Sequence, residues 1–218
     1  MQIEAILIKI AVSAIPILLA ITVHEASHGY AAKHFGDLTA EKLGRITLNP
    51  FKHIDLVGTI ILPAITLLLG GVLFGWAKPV PVNFGNLRNP KKDMLWVAAA
   101  GPASNFVMAL LWGMLLGFIT HAQANGNFST SAYFFLEMAY VGITINIVLM
   151  VLNLLPMPPL DGGRIAVSLL PNAQANKLAQ VEKYGFAILI ALMFTGILGK
   201  IISPFIDFFQ HAILRIFA

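Results

Sequence analysis

The chain has 218 residues, of which 58% are hydrophobic and 11% are charged, and it contains no cysteine. Soluble domains carry about 25% charged residues, so this composition excludes an ordinary soluble domain, and the missing cysteines exclude disulfides and thiolate metal sites. The net charge is only +4. The lysines and arginines gather between the apolar runs, which favours contact with the lipid bilayer over nucleic acid. We predict one integral-membrane domain, residues 1–218, with an all-α polytopic fold.

The first predicted helix covers residues 4–34 and carries His24-Glu25-Ala26-Ser27-His28 towards its end. Four helical residues advance about 400°, so His24 and His28 share one face, one turn apart, and can each give a nitrogen to one tetrahedral zinc. Glu25 points about 100° further round and can act as general base on a water beside the metal. Ionisable groups in an apolar helix are costly unless they are used. The alternative is a pair of histidines that are merely hydrogen-bonded.

Two candidates for further metal ligands, His53 and Asp55, lie in the polar stretch 35–56. No helical spacing ties either residue to the histidine pair, so a loop position at the membrane surface is the simpler interpretation. The apolar residues 57–76 form either a second span or a re-entrant hairpin. We favour the hairpin, because it leaves the basic residues on both sides of this stretch on the same side of the membrane.

The stretch 75–84 cannot be helical, because Pro79 and Pro81 interrupt it. Alternation of proline with valine favours a short extended or β element. The N–H groups of Val80 and Val82 could then pair with the backbone of a substrate. The alternative is a rigid proline-rich connector.

Polar residues recur inside the next two predicted spans, residues 93–120 and 132–155. Asn105 in the first needs a partner and serves either as a contact between helices or as a lining residue of an active cavity. In the second span, Gly142, Asn146 and Asn153 are spaced by four and seven residues, so they share one inward face.

The third metal-ligand candidate is Asp161, which follows the second of these spans. Prolines at 156, 158 and 159 stop the helix, and Gly162 and Gly163 follow the aspartate. A carboxylate held on such a turn would complete a His₂Asp set with one open position.

Three motifs in order resemble the site-2 proteases, the intramembrane zinc metalloproteases of peptidase family M50. These are His-Glu-Ala-Ser-His at 24–28, Gly-Pro-Ala-Ser-Asn at 101–105 and Asn-Leu-Leu-Pro-Met-Pro-Pro-Leu-Asp-Gly-Gly at 153–163. The stretches 44–55 and 76–81 are similar to the small prokaryotic branch. Residues 121–131 are too short for the PDZ domain of some relatives, and no CBS domain is expected.

The resemblance implies a three-helix catalytic core that binds one Zn²⁺ per chain through His24, His28 and Asp161, with Glu25 as the base. It also implies that Asn105 and Asn153 lie near the active centre, and it favours residues 75–84 as a strand that holds the substrate. We predict a core at about 4–175, then a span at about 185–203 and an interfacial helix from Pro204. A short final packing helix is the alternative for that tail.

The expected function is hydrolysis of peptide bonds in membrane-spanning proteins by an intramembrane zinc endopeptidase. The alternative is a non-hydrolytic membrane zinc-binding protein, either a metal transporter or an inactive relative. Lysine and arginine occur in 78–92 and 164–183 but not in 121–131. The positive-inside rule therefore predicts an active site towards the cytoplasmic side, and the resemblance to the small prokaryotic branch implies a prokaryotic cell membrane.

Overall fold

The computed structural model describes residues 2–61, 75, 77–122 and 129–217. Its α-helices are α1 (Gln2–His34), α2 (Thr39–Lys42), α3 (Pro90–Ala122), α4 (Thr130–Asn153), α5 (Asp161–Leu169), α6 (Asn172–Ala179), α7 (Glu182–Phe194) and α8 (Ile197–Phe217). Short 3₁₀ turns occur at Pro50–Lys52 and Phe84–Asn86, and a π-helical turn occurs at Leu56–Ile61.

Four of the described helices are long and apolar enough to cross a membrane. They are Ile10–His34 within α1, Pro90–Ala122, Ser131–Asn153 within α4, and Ile197–Phe217. A span needs about 20 residues to cover the hydrocarbon core, and each of these helices reaches that length. The chain is therefore a multi-pass membrane protein, as its composition predicts.

The centre of the fold is the packing of α1, α3 and α4 against one another. Apolar side chains from these helices and from α8 form the main buried cluster: Val12, Ala109, Trp112, Leu116, Met138, Ala139, Ile143, Ile147, Met150, Val151 and Ile213. The three-helix core expected from the sequence is thus present among the described residues.

Glycines let the helices approach closely at two places in this core. A Cβ at Gly113 would lie 2.8 Å from the ring of Phe217, and a Cβ at Gly117 would overlap the carbonyl of the same residue. This glycine pair therefore receives the end of α8. A Cβ at Gly142 would overlap the ring of Trp112, so α4 approaches α3 closely only because residue 142 is glycine.

A tight turn carries Asp161 back to the core. α4 ends at Asn153, and residues 154–160 reverse the chain so that α5 begins at Asp161 itself. Gly162 and Gly163 pack so closely on this turn that a Cβ at either position would overlap its backbone. The prolines stop α4, and the two glycines allow α5 to start at once, which places the aspartate beside α1.

The β element predicted at 75–84 is wrong for the residues of this stretch that the structure describes, which form no strand. Lys78, Val80 and Asn83 donate their N–H groups to a loop carbonyl and to two side-chain carboxylates. The prolines keep helix out of the segment, as expected. A strand also needs a neighbouring strand, and the donors are used elsewhere.

The helix predicted at 185–203 is divided, because Gly196 has a φ of 72° and separates α7 from α8. Glycine adopts this left-handed conformation without a steric penalty, whereas the apolar pattern runs on through it. The tail from Pro204 is not a separate interfacial helix either, since Pro204 lies inside α8.

Two other predictions fall mostly outside the described residues. For the hairpin predicted at 57–76, residues 62–74 and 76 lie outside them, and the described beginning is the π-helical turn Leu56–Ile61. For the loop predicted at 121–131, residues 123–128 lie outside them.

Candidate metal centre

The structure brings together the three predicted metal-ligand residues, His24 and His28 from α1 and Asp161 from α5. The two Nε2 atoms are 3.1 Å apart. Asp161 Oδ2 lies 3.3 Å from each of them, and the three side chains are only 10%, 12% and 13% exposed. Residues more than 130 positions apart in sequence therefore present three ligand atoms to one sheltered point.

The other ring nitrogens of the two histidines determine what the Nε2 atoms can do. His28 Nδ1 lies 2.7 Å from the carbonyl of Val97, and His24 Nδ1 lies 2.6 Å from Oδ1 of Asn105. A carbonyl oxygen only accepts hydrogen bonds, so each Nδ1 must carry the proton. In the neutral rings both Nε2 atoms are then bare lone pairs, which is the form that binds metals.

The orientation of Asn105 is fixed by its own partners. Its Nδ2 donates to the carbonyl of Ala20 at 3.2 Å and to Oδ1 of Asn146 at 2.9 Å, which leaves Oδ1 facing His24. Asn146 is oriented in turn by donating from Nδ2 to the carbonyl of Gly142 at 2.8 Å. Both asparagines are completely buried. A hydrogen-bonded chain thus links the middle of α4 to the first histidine.

The donor set fits a zinc ion. Ligand atoms in a tetrahedral zinc site with bonds of about 2.0–2.1 Å are about 3.3–3.4 Å apart, close to the observed separations. Asp161 Oδ2 is buried without a hydrogen-bond partner among the described residues. Three converging acceptors require a positive charge at their centre.

Gly101 of α3 lies directly against the histidine pair. A Cβ at this position would overlap Nε2 and Cε1 of His28, and it would lie 2.6 Å from Cε1 of His24. Only glycine therefore lets the two rings pack on α3 in this position. The sequence motif that contains Gly101 and Asn105 thus contributes both the space for the rings and the partner of His24.

Glu25 does not join the three-atom cluster but lies next to it in sequence on α1. Its Oε2 accepts a hydrogen bond of 2.7 Å from the main-chain N–H of Val80. Val80 itself is buried, at 6% exposure. The structure therefore places the extended segment around Val80 against the predicted base and connects the N–H of Val80 to it.

The chain matches the family model described as peptidase family M50 over residues 12–196, which is most of its length. The chain belongs to peptidase family M50. The resemblance inferred from the three motifs is thereby confirmed. No solved structure matches the chain significantly.

Two curated proteins are similar to this M50 chain over most of its length. The Bacillus subtilis protein named "Putative zinc metalloprotease YwhC" is 39% identical over 207 residues, which cover 94% of this chain and 90% of the relative. Rip2 of Mycolicibacterium smegmatis, which carries the same description, is 34% identical over 186 residues, covering 84% of this chain and 66% of the relative.

The other residues that the sequence singled out have contacts of their own. Asn153 donates to the carbonyl of Leu149 on its own helix, and Val82 packs in a second apolar cluster beside α1. His53 is buried and contacts the carbonyl of Thr47 through Nε2. Neither His53 nor Asp55 belongs to the metal-ligand group among the described residues.

Three groups at the site had no role predicted from the sequence: the side chain of Asn146, the open space at Gly101 and the carbonyl of Val97. The polar face of the predicted span 132–155 did include Asn146. Its partner, Asn105, lies on another helix, so the contact depends on the packing of α3 against α4. A main-chain carbonyl such as that of Val97 leaves no signal in a sequence, since every residue has one.

Proposed function

We propose that this M50 chain is a zinc endopeptidase that hydrolyses peptide bonds of membrane-spanning proteins. In this proposal His24, His28 and Asp161 hold one zinc ion, and Glu25 is the general base. The observation that carries the proposal is the convergence of the three ligand atoms beside a carboxylate that is not one of them. The names of the relatives as zinc metalloproteases support the choice of metal.

Each protein group has a separate task in the proposed reaction. Zinc, when bound, polarises the scissile carbonyl and lowers the pKa of water at its open position. Glu25 takes the proton from the attacking water and later delivers it to the leaving amine. Asn105 and the carbonyl of Val97 hold the two imidazoles in the tautomer and orientation that the metal needs.

The site's position among spanning helices sets the form of the substrate. A helix hides its peptide carbonyls in its own hydrogen bonds, so a membrane-spanning substrate must unwind locally before a peptide bond can reach Glu25. Most of the water is excluded, as the low exposure of the ligand side chains indicates. We also propose that the site lies towards the cytoplasmic side of the membrane, on the basis of the charge distribution alone.

Cleavage of a single-span peptide by the purified protein in detergent tests the proposal. We expect cleavage that a zinc chelator stops and that added zinc restores. The same preparation is assayed for bound metal, so that loss of zinc and loss of cleavage can be followed together. A zinc-loaded protein that cleaves no membrane-spanning peptide, at any pH near neutrality, would favour the non-hydrolytic alternative.

A further inference from the structure

The segment Lys78–Asn83 is fastened to α1 by its own main chain. The N–H of Val80 donates to Glu25 Oε2, and the N–H of Asn83 donates to Asp37 Oδ2, both at 2.7 Å. The side chain of Val80 also packs on α1, since a Cβ at Gly29 would lie 3.2 Å from Val80 Cγ1. Both main-chain bonds end on carboxylates, which makes them charge-assisted and short.

The start of the same segment is held from the other side. The N–H of Lys78 donates to the carbonyl of His53 at 2.9 Å. Arg45 Nη2 donates to the carbonyl of Lys78 at 3.0 Å and to that of Pro79 at 3.3 Å. Val80 thus lies between two sets of hydrogen bonds, and neither set involves His24, His28 or Asp161.

We propose that the main-chain N–H of Val80 positions Glu25 for catalysis, and that Arg45 is a positioning residue that acts through the two carbonyls before Val80. The inference rests on the proposed role of Glu25 as the base. A carboxylate has two oxygens and a flexible side chain. The N–H of Val80 on Oε2 restricts the rotation of the Glu25 carboxylate and leaves Oε1 free to accept the proton from water. The base is thereby oriented towards its reaction partner.

This assignment differs from pairing of the segment with a substrate strand. In an extended chain, N–H groups two residues apart point the same way, so strand pairing would use Val80 and Val82 alike. The structure distinguishes the two residues. Val80 donates to Glu25, whereas the N–H of Val82 has no hydrogen-bond partner among the described residues. Positioning therefore requires only the donor of Val80.

The first test replaces single main-chain donors with proline. We expect Val80→Pro to lower kcat about 100-fold with KM and zinc content little changed, because a misplaced base costs rate rather than binding. Val80→Thr keeps the donor and should stay within about threefold of the original kcat. Val82→Pro is the matched backbone control and should also keep most of kcat. Equal losses of kcat in the two proline variants, or a loss confined to KM, would overturn the assignment.

The second test acts on Arg45, which is partly exposed and is not one of the three metal-ligand candidates. Arg45→Met should lower kcat about threefold to tenfold at constant zinc content and unfolding temperature. Arg45→Lys should recover part of the loss, because an ammonium can reach one of the two carbonyls. Lys42→Met removes a positive charge from the same stretch without touching the segment and should leave kcat unchanged. A Lys42→Met effect as large as that of Arg45→Met would show a general charge effect and refute the role of Arg45.

A third measurement needs no catalysis. In metal-free protein, hydrogen exchange at the Val80 amide should be slow, and Glu25→Ala should accelerate it at least about tenfold. Glu25→Gln keeps an acceptor oxygen and should preserve most of the protection. If Glu25→Ala leaves exchange at Val80 unchanged, the contact is absent and the inference is wrong, even if the enzyme is an active protease. If the exchange behaves as expected but the native protein cleaves nothing, the proposed function fails instead.

Discussion

The metal-ligand side chains and the neighbouring base are held by different kinds of structure. His24 and His28 are anchored by Asn105 and by the carbonyl of Val97, both on the spanning helix α3. Glu25 is anchored by the main chain of a non-helical segment at the edge of the core. The comparison indicates that helix packing orients the metal site, whereas a tethered segment orients the base.

The energetics of the two regions differ accordingly. On the metal side, Asn105 and Asn146 are fully buried, and leaving a buried polar group unsatisfied costs about 1–3 kcal/mol. On the base side, Arg45 and Lys78 lie near the surface, where losing one hydrogen bond costs little stability. Substitutions on the metal side should therefore affect zinc binding and folding together, and those of the near-surface residues on the base side should affect mainly the rate.

The substitution Glu25→Gln should separate loss of cleavage from loss of zinc most clearly. We expect cleavage to fall at least about 1,000-fold, because the amide cannot take a proton from water, while zinc content stays unchanged. Metal content and peptide cleavage are measured on one preparation. Retained cleavage would end the assignment of Glu25 as base, and lost zinc would make Glu25 a ligand instead.

Asp161→Ala should have the next largest effect, this time on the metal. Removal of the only carboxylate in the group should weaken zinc binding at least about 100-fold and abolish cleavage at ordinary zinc concentrations. His53→Ala and Asp55→Ala are the controls and should retain zinc, since neither residue belongs to the metal-ligand group among the described residues. Normal zinc affinity in Asp161→Ala would contradict the ligand set.

Site features formed by residues close in sequence could be predicted, whereas contacts between residues distant in sequence could not. The spacing of His24 and His28 follows from helix geometry, and the proline-rich turn before Asp161 pointed to a presented carboxylate. The contact between Val80 and Glu25 joins residues 55 positions apart through a main-chain N–H. Because every residue other than proline has such a donor, no pattern of side chains predicts this contact. Proline and valine alternation in the same segment signalled extended backbone but not whether a partner strand existed.

Helix ends were less predictable than helix interiors for a related reason. The apolar pattern at 185–203 is continuous, and one glycine at 196 decides that α7 ends there. Local composition favoured a single helix because leucine and isoleucine occur on both sides of Gly196. The break depends on a backbone conformation that glycine permits but does not require.

A smaller effect is expected from the asparagines behind His24. Asn105→Ala removes the acceptor for His24 Nδ1 and should weaken zinc binding about 10- to 100-fold, the usual range for an outer partner of a metal ligand. Asn146→Ala leaves Asn105 Nδ2 one remaining acceptor, the carbonyl of Ala20, and should weaken zinc binding less. Zinc titration of the metal-free variants measures both. A larger loss for Asn146→Ala would mean that the chain from α4 does not act through Asn105.

The smallest effect concerns Asp37, which fixes the far end of the base-side segment. It accepts hydrogen bonds from Thr39, from the N–H of Asn83 and from Asn86. Burial raises its pKa, but these hydrogen bonds outweigh burial and hold the pKa below its ordinary value. A lowered folded pKa gives stability that is fully present above the unfolded pKa of about 3.9 and is lost as the pH falls through the folded value.

Asp37→Asn should therefore destabilise the protein by roughly 1.5–3 kcal/mol at neutral pH, the range for hydrogen bonds to a charged group. The difference from the original protein should persist down to about pH 4 and shrink only below it, as the carboxylate of the original protein becomes protonated. Unfolding in detergent followed over a pH series measures this difference. Because Asp37 holds Asn83 and not the metal ligands, zinc affinity should stay unchanged, and a loss of zinc would show that the two regions are coupled after all.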